Sequence, residues 1–170
     1  MKQLKLYTII GILFVLIIGS IAHFLYEWTG NNTIIGLFVP VTESVWEHVK
    51  LLFFPMLLYF FILFIPLKKT YPCAVSSFCF GILLGTFLIP IFFYIYTAII
   101  GQSILFIDIG IFVLSTILSF YAMYQFTQSC KLKPYTFWLC NLVLFLLICF
   151  VVFTYHPPES ALFADPTNTS

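Results

Sequence analysis

Five long apolar runs divide this chain, and the ionisable positions gather at their ends and in the breaks between them. The runs cover residues 6–26, 51–67, 74–100, 104–126 and 136–155. A helix needs about 20 apolar residues to cross a bilayer, and each run is near that length. The breaks KKTYP, GQS and TQSCKLKPY are too short to hold another element. This pattern predicts an all-α fold, an integral membrane bundle of five transmembrane helices. Residues 1–156 form one transmembrane domain and residues 157–170 an extracytoplasmic tail.

Composition agrees. The chain is 62% hydrophobic and 8% charged, whereas soluble domains carry roughly a quarter charged residues. The expected partner is the lipid bilayer, and the expected location is the cell membrane. The lysines never cluster beyond a pair, which argues against nucleic acid. Five cysteines lie at 73, 79, 130, 140 and 149 with no C-x-x-C pair. They read as small apolar residues within packed helices, not as a disulfide framework.

Lysine placement sets the orientation. Lys2 and Lys5 precede the first run, Lys68 and Lys69 follow the second, and Lys131 and Lys133 follow the fourth. The positive-inside rule then places the N-terminus inside and the C-terminus outside. The opening MKQLK, its apolar run and SIA also fit the layout of a cleaved signal peptide. The aromatic HFLYEW that follows directly favours a retained span. Pro55 and Pro90 interrupt the second and third runs and free the carbonyls of Leu51 and Thr86. Gly81 and Gly85 form a G-x-x-x-G, which predicts close approach by another helix.

All the acids and histidines fall on the other side. Glu27, Glu43, Glu47, Asp108, Glu159, Asp165, His23, His48 and His156 lie at outer span ends, in outer loops or in the tail. The positive-inside rule does not require this. His23 and Glu27 are four apart and share a helix face. In TESVWEHVK, a helix would put Glu43, Glu47 and Lys50 in one row with Ser44 and His48 beside it. Ser44 and Glu47 have capping-box spacing. Asp108 lies inside the fourth run, where an ionised carboxylate costs about 2.5–3.5 kcal/mol. Lys50 is its expected partner, with His48 or a metal as the other choice. The tail begins with Pro157–Pro158 and either stays solvated or folds back, bringing His156 toward the same centre. The segment WTGNNTIIGLFVPV is too apolar for a solvated loop and is expected to form a wall of the site.

The stretch FVPVTESVWEHVKLLFFP resembles the signature of an uncharacterised family of small multi-pass bacterial membrane proteins, whose usual form reads P-V-N-E-S-V-W-E-H. HFLYEWTG and PPESALFADPTNTS are similar to that family as well. Thr42 stands where the motif has Asn, and the tail stops before a glycine- and tyrosine-rich ending. The resemblance implies a membrane fold and a role for Glu43, Glu47 and His48. It implies no reaction.

Three functions are compatible with these residues. The favoured one is a binding or assembly module whose outward His/Glu/Asp site, including Lys50, Asp108 and Glu27, docks a membrane protein, a lipid headgroup or a cationic peptide. The second is a zinc-dependent hydrolase of the outer leaflet. His23, His48 and His156 would be its metal ligands and Glu43 and Glu47 its catalytic carboxylates, although E-x-x-x-E-H matches no zincin spacing. A transporter is least favoured, because the inner half lacks ionisable relay groups.

Overall fold

The computed structural model describes residues 2–165, with the side chains of 64–68 excepted. Met1, residues 166–170 at the end of the tail, and the side chain of Lys68 used in the orientation argument lie outside the described residues. The described residues are helical throughout, with no strand. In chain order, α1 is Lys2–Trp28, α2 is Thr33–Gly36, α3 is Val45–Thr70, α4 is Ala74–Ile100 and α5 is Leu105–Ser129. A 3-10 turn at Lys133–Tyr135 leads into α6, Thr136–Phe153. Five of these helices are long and apolar enough to cross a membrane.

Helices α1, α3, α4 and α5 pack as a ring, each against two neighbours, and α6 lies outside against α4. The first helix shows how small residues favour contact, while larger aliphatic ones on it face outward. On α1 the buried row is Leu4, Gly11, Val15, Gly19 and Ala22, whereas Leu6, Ile9, Leu13 and Ile17 are exposed. Lipid tails are as apolar as leucine, so close packing of small residues, not hydrophobicity, selects the interface. Rings from three helices then fill the centre, with Phe53, Phe78 and Phe120 fully buried. The Tyr59 hydroxyl donates to the Tyr7 carbonyl at 2.5 Å across that core.

At Pro55 and along the G-x-x-x-G, neighbouring helices approach closely. A Cβ on Gly19 would lie 2.5 Å from the Leu51 carbonyl oxygen, the group that Pro55 frees. Thus α1 comes within reach of a carbonyl that lost its helix donor. On α4, a Cβ on Gly81 would lie 2.9 Å from the Ser119 carbonyl, and one on Gly85 would lie 2.8 Å from Leu52 Cδ2. Gly85→Val is therefore expected to lower stability by about 1–3 kcal/mol through overpacking. Gly110, with nothing within 4 Å of an added Cβ, should tolerate alanine. Thermal unfolding in detergent checks both, and equal effects would count against the tight α4–α5 contact.

Two expectations are corrected here. The helix that leads into the second run begins at Val45, so it leaves out Glu43, and it continues unbroken to Thr70. Also, Cys73 and Cys130 form a disulfide, with Cα atoms 5.3 Å apart and 57 residues between them. It joins the start of α4 to the end of α5, two positions that meet only when those helices pair. Spacing along the chain carries no sign of such a contact. Cys79 and Cys140 are free thiols whose sulfurs lie 3.2 Å apart between α4 and α6.

Candidate metal centre

The site is built around the start of α3, at the end of the bundle where α1 finishes. After Trp28 the chain reverses through Gly30 and Asn31, both with positive φ. Asn32 then caps α2 by accepting from the Ile34 and Ile35 amides. The segment from α2 to Val41 lies over the start of α3, as the sequence suggests for a wall of the site.

Helix α3 has an unusual set of caps. The Ser44 hydroxyl accepts from the Glu47 amide at 3.3 Å, the first half of a capping box. The Glu47 carboxylate does not complete the box. It reaches further back and accepts from the Val41 amide at 3.0 Å. The exposed donor of Trp46 is satisfied by the tail, through the Leu162 carbonyl at 3.0 Å. Helix starts leave such amides without internal partners, so the tail is part of the cap.

Because α3 begins at Val45, Glu43 and Glu47 do not share a helix face. They serve different places. Glu47 is 3% exposed and Lys50 0% exposed, and they form an ion pair at 2.7 Å. The Lys50 ammonium also donates to the Gly36 carbonyl at 3.1 Å, the Val39 carbonyl at 3.4 Å and the Thr154 hydroxyl at 2.6 Å. This joint ties together α3, the α2 segment and the end of α6. A buried ammonium is tolerated only when its donors are met, and here they are.

The expected Lys50–Asp108 contact is not formed. Asp108 sits in the first turn of α5, where the helix dipole favours a carboxylate, and it accepts a short hydrogen bond from the Tyr96 hydroxyl. That hydroxyl in turn accepts from the Ile104 amide at 3.2 Å. The α4–α5 turn thereby holds its own acid.

Glu43 turns the other way, toward histidines. His48 Nε2 lies 3.3 Å from Glu43 Oε2 and 3.3 Å from His23 Nε2. The three ligand atoms of His23, Glu43 and His48 all lie within 4.8 Å of one another. His48 Nδ1 is 3.0 Å from the Ser44 carbonyl oxygen. A carbonyl only accepts, so Nδ1 carries the proton and donates it there. Nε2 is left facing His23 and Glu43, where it donates to the Glu43 carboxylate when the ring is the imidazolium and would offer a lone pair to a metal in place of that proton. The hydrogen bond from His48 holds the Glu43 carboxyl below its ordinary value, against partial burial and the like charge of Asp165.

Beside this group opens a cavity of about 200 Å³ lined by His23, Tyr26, Glu27, Thr42, Glu43 and Asp165, among others. His23 and Glu27 share this wall, as their spacing suggests. His156 does not reach it: its side chain is exposed and its amide donates to the Val152 carbonyl at 3.3 Å. The tail does fold back, but the residue it delivers is Asp165. Its carboxylate accepts from the Glu43 amide at 3.4 Å. Sequence reasoning gave Asp165 no role. The apolar ALF before it, which the sequence offers as an anchor, does hold the tail, with Phe163 packed on Trp46 and Phe153.

The fold and this polar end define a small helical protein with five helices able to cross a membrane. The chain belongs to a family of unknown function (DUF6512), whose sequence model matches residues 1–170. No curated protein and no solved structure matches it.

Proposed function

We propose that this protein is a membrane-embedded metal-binding module, with His23, Glu43 and His48 holding a divalent ion of the zinc class at the outer surface. The observation that carries the reading is the convergence of three ligand atoms around a histidine ring held from behind by the Ser44 carbonyl. Two ligand atoms about 2.0 Å from a tetrahedral zinc ion lie about 3.3 Å apart. The His48–His23 and His48–Glu43 separations, both 3.3 Å, match that edge. The Ser44 carbonyl supplies the outer-shell hydrogen bond that metal-bound imidazoles usually make.

The 200 Å³ cavity favours a second reading, a metal-dependent hydrolase. Catalytic zinc sites keep three protein ligands and one open position, and Glu27 on the cavity wall is a carboxylate able to take a proton from a bound water. Glu47 has no part in that chemistry, being committed to Lys50.

The lysine bias supports an outward-facing site. The Cys73–Cys130 disulfide at the opposite, lysine-bearing end pulls the other way, since thiols in the cytoplasm are normally kept reduced. Cys73 is 2% exposed, while Cys130 is partly exposed, so the bond is accessible from one side.

Metal analysis tests both parts of the reading. Protein purified in detergent and incubated with zinc should retain close to one ion per chain. In right-side-out vesicles, a membrane-impermeant chelator should remove it. Absence of bound zinc in folded protein would end the metal reading. Retention of the ion until the vesicles are opened would reverse the orientation.

A further inference from the structure

We infer that Asp165 is the fourth protein ligand of this ion, carried to it by the C-terminal tail, so that metal binding and docking of the tail are one coupled event. The inference rests on the metal reading of His23, Glu43 and His48, and goes beyond it by closing the site.

The tail is held at two points that lead to this position. Its Leu162 carbonyl caps the Trp46 amide at 3.0 Å. Its Phe163 ring packs on Trp46, with centroids 4.9 Å apart, and on Phe153 at 5.6 Å. Trp46 is itself set by Phe150 of α6 at 4.5 Å. Phe163 is thus lodged between the start of α3 and the end of α6, two elements that Lys50 already joins. Two residues later, Asp165 reaches the wall of the His23–Glu43 cavity and binds the Glu43 amide. Its carboxylate lies outside the three-atom group of His23, Glu43 and His48, so ligation moves it from that amide to the ion.

Charge explains why an ion belongs between these groups. Glu43 and Asp165 are two carboxylates on one small cavity. With neutral imidazoles the set carries two negative charges, which a divalent cation balances. Two imidazoles and two carboxylates also make up a complete four-ligand zinc shell of the closed kind. While the tail is docked, the position a substrate would need is filled, and access requires displacement of Asp165. A ligand that binds only the docked tail stabilises docking by the same free energy with which docking strengthens the metal.

The test uses the full chain in detergent and zinc alone as probe, with affinity measured by competition against a chromophoric chelator. Asp165→Asn should bind zinc about 10–100-fold more weakly, while Asp165→Glu should stay near wild type. Phe163→Ala, which loosens the anchor without touching a ligand, should weaken zinc in the same direction. Zinc should slow hydrogen exchange in residues 159–165 of wild type and leave that of Asp165→Asn unchanged. Wild-type affinity in Asp165→Asn, together with loss of zinc in His48→Ala, would overturn the role of Asp165 and leave the three-ligand site standing. Failure of wild type itself to bind zinc would overturn both.

Discussion

Replacing Lys50 with methionine is expected to cost about 3–5 kcal/mol, the range for removing one partner of a buried ion pair. Lys50 is fully buried and meets four oxygens from three parts of the chain. Methionine fills most of its volume, so the loss is polar and not steric. Glu47 would be left as a buried carboxylate held by the Val41 amide, while the Gly36 and Val39 carbonyls would lose their donor. The double variant Lys50→Met, Glu47→Met removes the uncompensated charge and should recover part of the loss. Recovery would be incomplete, because those two carbonyls stay unmet. Denaturant-induced unfolding in mixed micelles measures each term. A single variant within about 1 kcal/mol of wild type would show that the ammonium is not the joint between α3, α2 and α6, since exposed ion pairs are worth that little.

The ion pair also shows where sequence reasoning reaches and where it stops. The spans were legible because their signal is local: about 20 apolar residues in a row decide the matter without knowledge of any partner. The gathering of acids and histidines at one end followed from the same count, since an odd or even number of crossings fixes which ends meet. The pairing inside that group was not legible. Placing Glu43, Glu47 and Lys50 in one row assumed that the helix included Glu43. The start at Val45 removes that residue from the row, so Glu43 faces His48 while Glu47 faces inward. A shift of two residues in one helix boundary separates a carboxylate that faces two imidazoles from a structural one, and boundaries are the least determined feature of a sequence. Lys50 was assigned to Asp108 as the one cation at that end. The nearer partner was Glu47, one helical turn away, and Asp108 found Tyr96 across the α4–α5 turn. The Cys73–Cys130 bridge likewise depends on which helices pair, and no spacing rule reports that.

His48→Ala is expected to weaken zinc binding by more than about 100-fold, beyond the 10–100-fold typical of losing an outer-shell partner. His48 stands at the centre of the group, 3.3 Å from each of the other two ligand atoms. Its ring is also the one fixed from behind, by Ser44. His156→Ala is the informative companion. Histidine count alone makes all three imidazoles equivalent ligands, whereas the geometry leaves His156 exposed and outside the cavity, so its removal should change affinity less than about twofold. The two variants also separate folding from binding, because neither side chain takes part in the Lys50 joint and both proteins should unfold at similar temperatures without metal. An equal loss in His48→Ala and His156→Ala would mean that the tail binds in another register and that its histidine is the ligand. Loss confined to His48→Ala, matched by His23→Ala, would make the helix start at Val45 the feature that creates the site: it is this boundary that frees Glu43 to meet the two imidazoles.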